Sequence, residues 1–159
     1  MKKILVSECL YGGRTVRYDG GDVTENHPVF LKWKEEGRLI PICPEVFGGL
    51  PVPRPDSQRI GDKVKTGAGK DVTEEYTKGA REVLRLAEEN DVIFAVMKQD
   101  SPSCGSRYIY DGTFTDTKKE GQGLAVEYLR NAGFKVFGEE ELDEAEKYLK
   151  EKEQSLTAK

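Results

Sequence analysis

Val92-Ile93-Phe94-Ala95-Val96-Met97-Lys98-Gln99-Asp100-Ser101-Pro102-Ser103-Cys104-Gly105 joins an uninterrupted apolar run to a polar turn that closes on a cysteine. The run is too short for a helix and rich in residues that suit a sheet covered on both faces. It predicts a central strand of a parallel sheet, with the polar turn leaving its carboxyl end. Two other stretches repeat the arrangement. Ile4-Leu5-Val6 leads to Cys9 and Leu10-Tyr11-Gly12-Gly13, and Leu39-Ile40-Pro41-Ile42 leads to Cys43 and Pro44-Glu45-Val46-Phe47-Gly48-Gly49. In an open parallel sheet the carboxyl ends of the strands share one edge, where such folds bind ligands. Cys9, Cys43 and Cys104 are therefore expected to converge on that edge, which is the candidate active site.

Helical patterns separate these strands. A short helix over 27–36 is expected from Asn26 as its cap, Pro28 in its first turn and Gly37 at its end, with Val29, Phe30 and Trp33 as its buried stripe. A longer one over 73–90, capped by Asp71 or Thr73, places Tyr76, Ala80, Val83, Leu84 and Ala87 at helical spacing. Helices over 121–132 and 140–152 flank a fourth strand, Phe134 to Phe137. Pro51-Val52-Pro53-Arg54-Pro55 cannot be a central strand and reads as a rigid wall or lid. Arg59 to Lys65 reads as a small hairpin on a Gly-Asp turn, and Arg107 to Phe114 as an edge strand or extended flap. The pattern predicts one three-layer α/β domain over 1–152. It has a mostly parallel central sheet, helices on both faces, a small flanking hairpin and a frayed tail over 153–159.

The bulk properties agree. A chain of 159 residues with 36% hydrophobic content is one domain by size, and a chain of this length buries roughly 70% of its unfolded surface without staples. Three cysteines with no close pair, and too few apolar residues before Ser7 for a signal-peptide core, point to a reducing cytoplasm. No apolar run approaches the roughly 20 residues of a membrane span. A formal charge of −4 exerts no general pull on nucleic acid.

The residues alone leave the cysteines several readings. Cysteine is often an inert buried residue, but all three here precede glycine, proline or polar turns that offer it little packing. A structural zinc normally takes four ligands, often in close pairs, whereas a catalytic zinc with an open position remains an option. Three soft thiolates also suit a cubane iron-sulfur cluster that leaves one iron free for a substrate atom. His27 is the only histidine, so a histidine-rich site is excluded, and its place at a helix start suits a surface or capping role. Glu45, Ser101 and Ser103 lie beside cysteines and are candidate proton carriers, against a blander reading as a salt-bridged glutamate and turn-capping serines. Arg14, Arg17 and Arg54 are either solvated or anion anchors, the guanidinium fork being suited to phosphate.

In combination the motifs are more specific. Ser7-Glu8-Cys9-Leu10-x-Gly12, Arg17-Tyr18-Asp19-Gly20, Cys43-Pro44-Glu45-Val46-x-Gly48-Gly49-Leu50-Pro51-x-Pro53-Arg54, Gly69-x-Asp71-Val72-Thr73 and Lys98-x-x-Ser101-Pro102-Ser103-Cys104-Gly105 resemble, in order, the thiouracil desulfidase family over about residues 1 to 140. The resemblance implies an oxygen-sensitive [4Fe-4S] cluster held by Cys9, Cys43 and Cys104 with one iron open, and Glu45 and Ser101 as an acid/base pair. Arg17, Arg54 and Ser103 are then expected at the substrate. The reaction implied is hydrolytic, non-redox removal of sulfur from a thiolated pyrimidine, thiouracil or 4-thiouridine monophosphate, as in nucleotide salvage, giving the oxo compound and hydrosulfide. Larger relatives that act on thiolated transfer RNA carry a second domain, so a free base or nucleotide is favoured over RNA. Two alternatives stand beside this reading: a non-catalytic cluster or nucleotide sensor, and a zinc hydrolase with three cysteine ligands.

Overall fold

The computed structural model describes residues 1–157. In chain order the elements are β1 (Ile4–Ser7), α1 (Glu8–Tyr11), α2 (Pro28–Glu35), β2 (Leu39–Ile42), α3 (Pro44–Phe47), β3 (Ser57–Ile60), β4 (Lys63–Thr66), α4 (Thr73–Glu89), β5 (Phe94–Met97), β6 (Tyr108–Tyr110), β7 (Lys118–Glu120), α5 (Leu124–Asn131), β8 (Val136–Gly138) and α6 (Leu142–Thr157).

The central sheet has the order β2-β1-β5-β8, with every pairing parallel. Strand order reverses between β1 and β5, so the crevice above their carboxyl ends is the switch point where open α/β sheets bind ligands. Side-chain alternation divides the core in two. Leu5, Ala95, Met97 and Val136 pack beneath Tyr76, Ala80, Val83 and Ala87 of α4 and Leu124, Ala125 and Leu129 of α5. Ile4, Val6, Phe94, Val96 and Phe137 pack against Phe30 and Trp33 of α2 and Leu142, Ala145 and Leu149 of α6. Helices therefore cover both faces, which is why β1 and β5 are apolar at every position of Ile4-Leu5-Val6 and Phe94-Ala95-Val96-Met97. Pro41, which has no N–H to give a ladder, sits on the edge strand β2.

Several boundaries differ from expectation, each for a local reason. The cap of α2 is His27, whose Nδ1 accepts the Val29 N–H at 3.1 Å, and not Asn26. At α4 neither Asp71 nor Thr73 occupies the cap position, which is Val72. Asp71 accepts the Thr73 N–H at 2.9 Å, and the Thr73 hydroxyl accepts the Val64 N–H at 2.9 Å, tying the helix start to β4. Helix α5 starts at Leu124 and not near 121, because the preceding residues run across the Cys104 loop. The hairpin on Gly61-Asp62 forms as expected from β3 and β4. The Arg107 to Phe114 segment is a second hairpin, β6 pairing antiparallel with the charged Lys118–Glu120, a strand that no apolar alternation marks. The last helix follows a 3₁₀ turn at Glu139–Glu141 and continues to Thr157, past 152. Expected fraying at 158–159 lies outside the described residues.

Helix α3 meets α4 at very short range. A Cβ at Gly79 would overlap the Pro44 carbonyl, so only glycine lets α4 approach the turn that carries Glu45.

Candidate active site

Each cysteine leaves its strand in a short turn of helix or a tight loop, which aims the sulfur back over the sheet edge. Cys9 lies in α1 directly after β1, Cys43 caps α3 directly after β2, and Cys104 ends the loop after β5. All three are unpaired thiols, and with Glu45, Ser101 and Ser103 they line one cavity holding about 160 Å³ of water-sized free space.

The loop after β5 is held by its own polar groups. Ser101 Oγ accepts the N–H of Ser103 and of Cys104, both at 3.1 Å. The first turn of α5 closes on the same loop, Leu124 N donating to Pro102 O at 2.9 Å and Ala125 N to Ser103 O at 3.0 Å. Helix-start donors that would otherwise lack partners thus fasten the cysteine loop. A Cβ at Gly123 would overlap the Ser103 carbonyl, so glycine is required there. Gln99 braces the other side. Its Oε1 accepts N–H groups of Ser106, Arg107 and Tyr108, and its Nε2 donates to Glu140 Oε1 at 2.6 Å.

Burial dominates the proton affinity of the thiols. It pushes Cys9 up to about 12, with the neighbouring Cys43 adding to the shift and Lys98 and Arg17 opposing it. Cys104 is raised further by complete burial, against hydrogen bonds from Ser7 and Ser103. Cys43 is raised by burial against the N–H of Val46 and Glu45. Thiols in this state ionise when a cation stands among them. Among the described residues, no three His, Cys, Asp or Glu side chains converge as the ligands of a single metal ion would. Three soft thiols on one cavity are a donor set that suits an iron–sulfur cluster.

Glu45 projects from α3 into this cavity with its side chain 12% exposed. Its Oε1 accepts Arg54 Nε at 3.1 Å, its Oε2 accepts the Ser103 hydroxyl at 2.9 Å, and the Tyr76 hydroxyl also bonds the carboxylate. Ser101 Oγ lies 2.9 Å from Ser103 Oγ and 3.3 Å from Glu45 Oε2. Because Ser101 already accepts two N–H groups, its own proton is the one free to be donated. The consistent chain runs from Ser101 to Ser103 to Glu45. Ser103, expected at the substrate, is 1% exposed and sits inside that chain.

The two arginines part company. Arg54 lines the cavity, but its guanidinium is engaged within the protein: Nε on Glu45, Nη1 on Pro51 O at 3.0 Å and Nη2 on Val16 O at 2.9 Å. These contacts tie it to Glu45 and to the backbone of Pro51 and Val16. Arg17 keeps one bond, Nε to Asp19 Oδ1 at 3.2 Å, and lies 5.7 Å over the Tyr18 ring at the cavity edge. Arg14 does not line this cavity but pairs with Glu8, which does. Sequence reasoning missed Tyr76, read only as part of a helix stripe, and gave no separate role to Lys98, Gln99, Tyr18 and Tyr110. Tyr18, Lys98 and Gln99 lie inside the quoted motifs, but no spacing rule singles them out.

Comparison with known proteins places this geometry. The sequence profile of the family described as 2-thiouracil desulfurase matches residues 4–141. The uncharacterized protein YbbK of Bacillus subtilis (strain 168) is 38% identical over 151 residues, spanning 89% of this chain and 98% of its own. A solved structure of the [4Fe-4S]-dependent thiouracil desulfidase TudS is 42% identical and superposes with a TM-score of 0.92, covering 94% of this chain and 99% of its own.

Proposed function

The chain belongs to the 2-thiouracil desulfurase family, and from that premise we propose that it hydrolyses thiolated pyrimidines with a [4Fe-4S] cluster on Cys9, Cys43 and Cys104. The observation that carries the proposal is the single cavity onto which three thiols and the Ser101-Ser103-Glu45 chain all open. When bound, the cluster supplies an open iron that acts as a Lewis acid toward the soft thiocarbonyl sulfur.

The protein supplies the water chemistry. A water between Glu45 and the substrate attacks the thiocarbonyl carbon, and Glu45 takes its proton. Arg54 and Tyr76 hold the carboxylate in place for that step. Ser101, whose own proton is the one free to be donated, gives it to the ring or the departing sulfur, and Glu45, 3.3 Å from Ser101 Oγ, then returns the proton it took from water to that hydroxyl. The carbon gains oxygen, the carbon–sulfur bond breaks, and sulfur leaves as hydrosulfide. Electrons balance with no external donor, so the reaction is a hydrolysis.

The substrate is a small thiolated pyrimidine, thiouracil in the first instance. Recognition of a nucleotide phosphate rests on Arg17, a cavity arginine whose Nε bonds Asp19 and whose two terminal nitrogens make none of the bonds described above. Three free thiols suit a reducing cytoplasm. No helix among the described residues is long and apolar enough to cross a membrane.

The test is anaerobic reconstitution with iron and sulfide, followed by assay with 2-thiouracil for uracil and hydrosulfide in equal amounts. A brown holoprotein that releases both upholds the proposal. A fully loaded holoprotein that releases neither overturns the enzyme reading and favours the sensor.

A further inference from the structure

The cavity is open at a rim that the proton chemistry does not use. Two tyrosines stand there on different elements: Tyr18, from the loop between α1 and α2, and Tyr110, at the end of β6. Tyr18 is 37% exposed, a large aromatic surface for a group lining a cavity. Its backbone is pinned, its carbonyl accepting the Arg54 N–H at 2.8 Å while Arg54 also grips Val16 O. Each ring carries a cation near one face, Arg17 at 5.7 Å from the Tyr18 centroid and Lys118 Nζ at 5.6 Å from that of Tyr110. Lys118 is itself anchored on Asp100 at 2.9 Å. Among the described residues neither ring stacks on another aromatic ring.

We infer that Tyr18 and Tyr110 form an aromatic slot that grips the flat heterocycle and sets it edge-on to the cluster end of the cavity. The inference rests on the desulfidase reading and names the residues that select its substrate class. Rings of this kind, Tyr18 exposed and Tyr110 half-buried, with backbones fixed by hydrogen bonds, lose little freedom when a planar ligand covers them. Stacking on a heteroaromatic ring is favourable and tolerant of substituents. The Tyr18 phenol is held above its ordinary value by desolvation and then by Asp56, so the ring stays neutral at working pH. Because stacking reads the π face, the slot accepts 2-thio and 4-thio pyrimidines alike and rejects saturated thioamides, which lack that face.

The experiment uses reconstituted holoprotein with 2-thiouracil as substrate and uracil as a non-reacting probe. Tyr18→Ala and Tyr110→Ala are each expected to raise KM about 10-fold, with the larger part of the loss in KM and not kcat and with cluster absorbance kept. Tyr18→Phe and Tyr110→Phe, which retain the ring, are expected to restore KM to within about 2-fold. Unchanged KM in both alanine variants, or phenylalanine variants as impaired as the alanine ones, would overturn the slot. Should wild-type holoprotein fail to turn over 2-thiouracil, the desulfidase reading falls and the slot is judged by equilibrium dialysis with uracil. Binding that the alanine variants lose upholds it, and no binding to wild type overturns it.

Discussion

Glu45 shows how much one side chain depends on its neighbours. It is a carboxylate with its side chain 12% exposed, and Arg54, Tyr76, Ser103 and Ser101 surround it. Glu45→Gln keeps its size and is not a thiol ligand, so cluster absorbance should persist while turnover falls about 10² to 10⁴-fold. Near-normal turnover with the cluster intact would remove Glu45 as the base. Arg54→Ala leaves that carboxylate buried without its cation, which should cost about 3 kcal/mol in chemical denaturation. Because Arg54 acts through Glu45, activity toward 2-thiouracil and toward its nucleotide should drop together. A loss confined to the nucleotide would return Arg54 to the phosphate. The neighbourhood of Cys43 and Glu45 was legible in the sequence because those residues adjoin a strand end. Tyr76 was not, since its helical spacing explains it fully as a core residue and its hydroxyl contact spans separate elements.

At the level of elements, α3 and α4 are coupled through Gly79. Alanine usually improves a helix interior over glycine by about 1 kcal/mol. Here its Cβ would meet backbone and not a flexible side chain, the carbonyl of Pro44. Overpacking of that kind costs about 1–3 kcal/mol, so the clash wins. Gly79→Ala should lower the thermal midpoint and, by shifting the turn that bears Glu45, reduce kcat with the cluster still loaded. A rise in the midpoint would show that the two helices are free to separate. The four main strands and four long helices were readable because burial on both faces leaves continuous apolar runs and amphipathic helices leave a 3.6-residue stripe. Strand β7, Lys-Lys-Glu and wholly exposed, carries no such record. Its pairing with β6 comes from backbone hydrogen bonds and the contact of Lys118 with the Tyr110 ring, neither of which leaves an apolar alternation. The one-turn helices α1 and α3 were also missed, four residues being too few to show a period.

For the molecule as a whole, the proposed cluster on Cys9, Cys43 and Cys104 would tie together three strand ends that are distant in sequence. A ligand that binds only the folded chain stabilises it by mass action, so removing iron should lower the thermal midpoint. The pH dependence has a definite sign. In the apoprotein the folded thiols bind protons more tightly than the unfolded ones, Cys9 being pushed up to about 12. Their contribution is complete below the unfolded thiol value, about 8.5. It is lost as pH rises through that value toward the folded one, because the unfolded state sheds its thiol protons first. Apoprotein stability should therefore fall steadily above about pH 9. The holoprotein, whose ligands are already thiolates, should show a shallower decline by denaturant titration, and equal slopes would argue against thiolate ligation.

By itself the sequence determined the layering, the parallel sheet and the edge on which Cys9, Cys43 and Cys104 meet. Those follow from apolar run length and from loops placed after strands, both properties of neighbouring residues. Only the tertiary structure decided that Arg54 serves Glu45, that Ser103 stands between Ser101 and the carboxylate, and that Tyr18 faces the same cavity as Tyr110. These are pairings between side chains on separate elements. A guanidinium or hydroxyl suits many partners equally, and which one it meets is set by how the packed layers bring distant turns together.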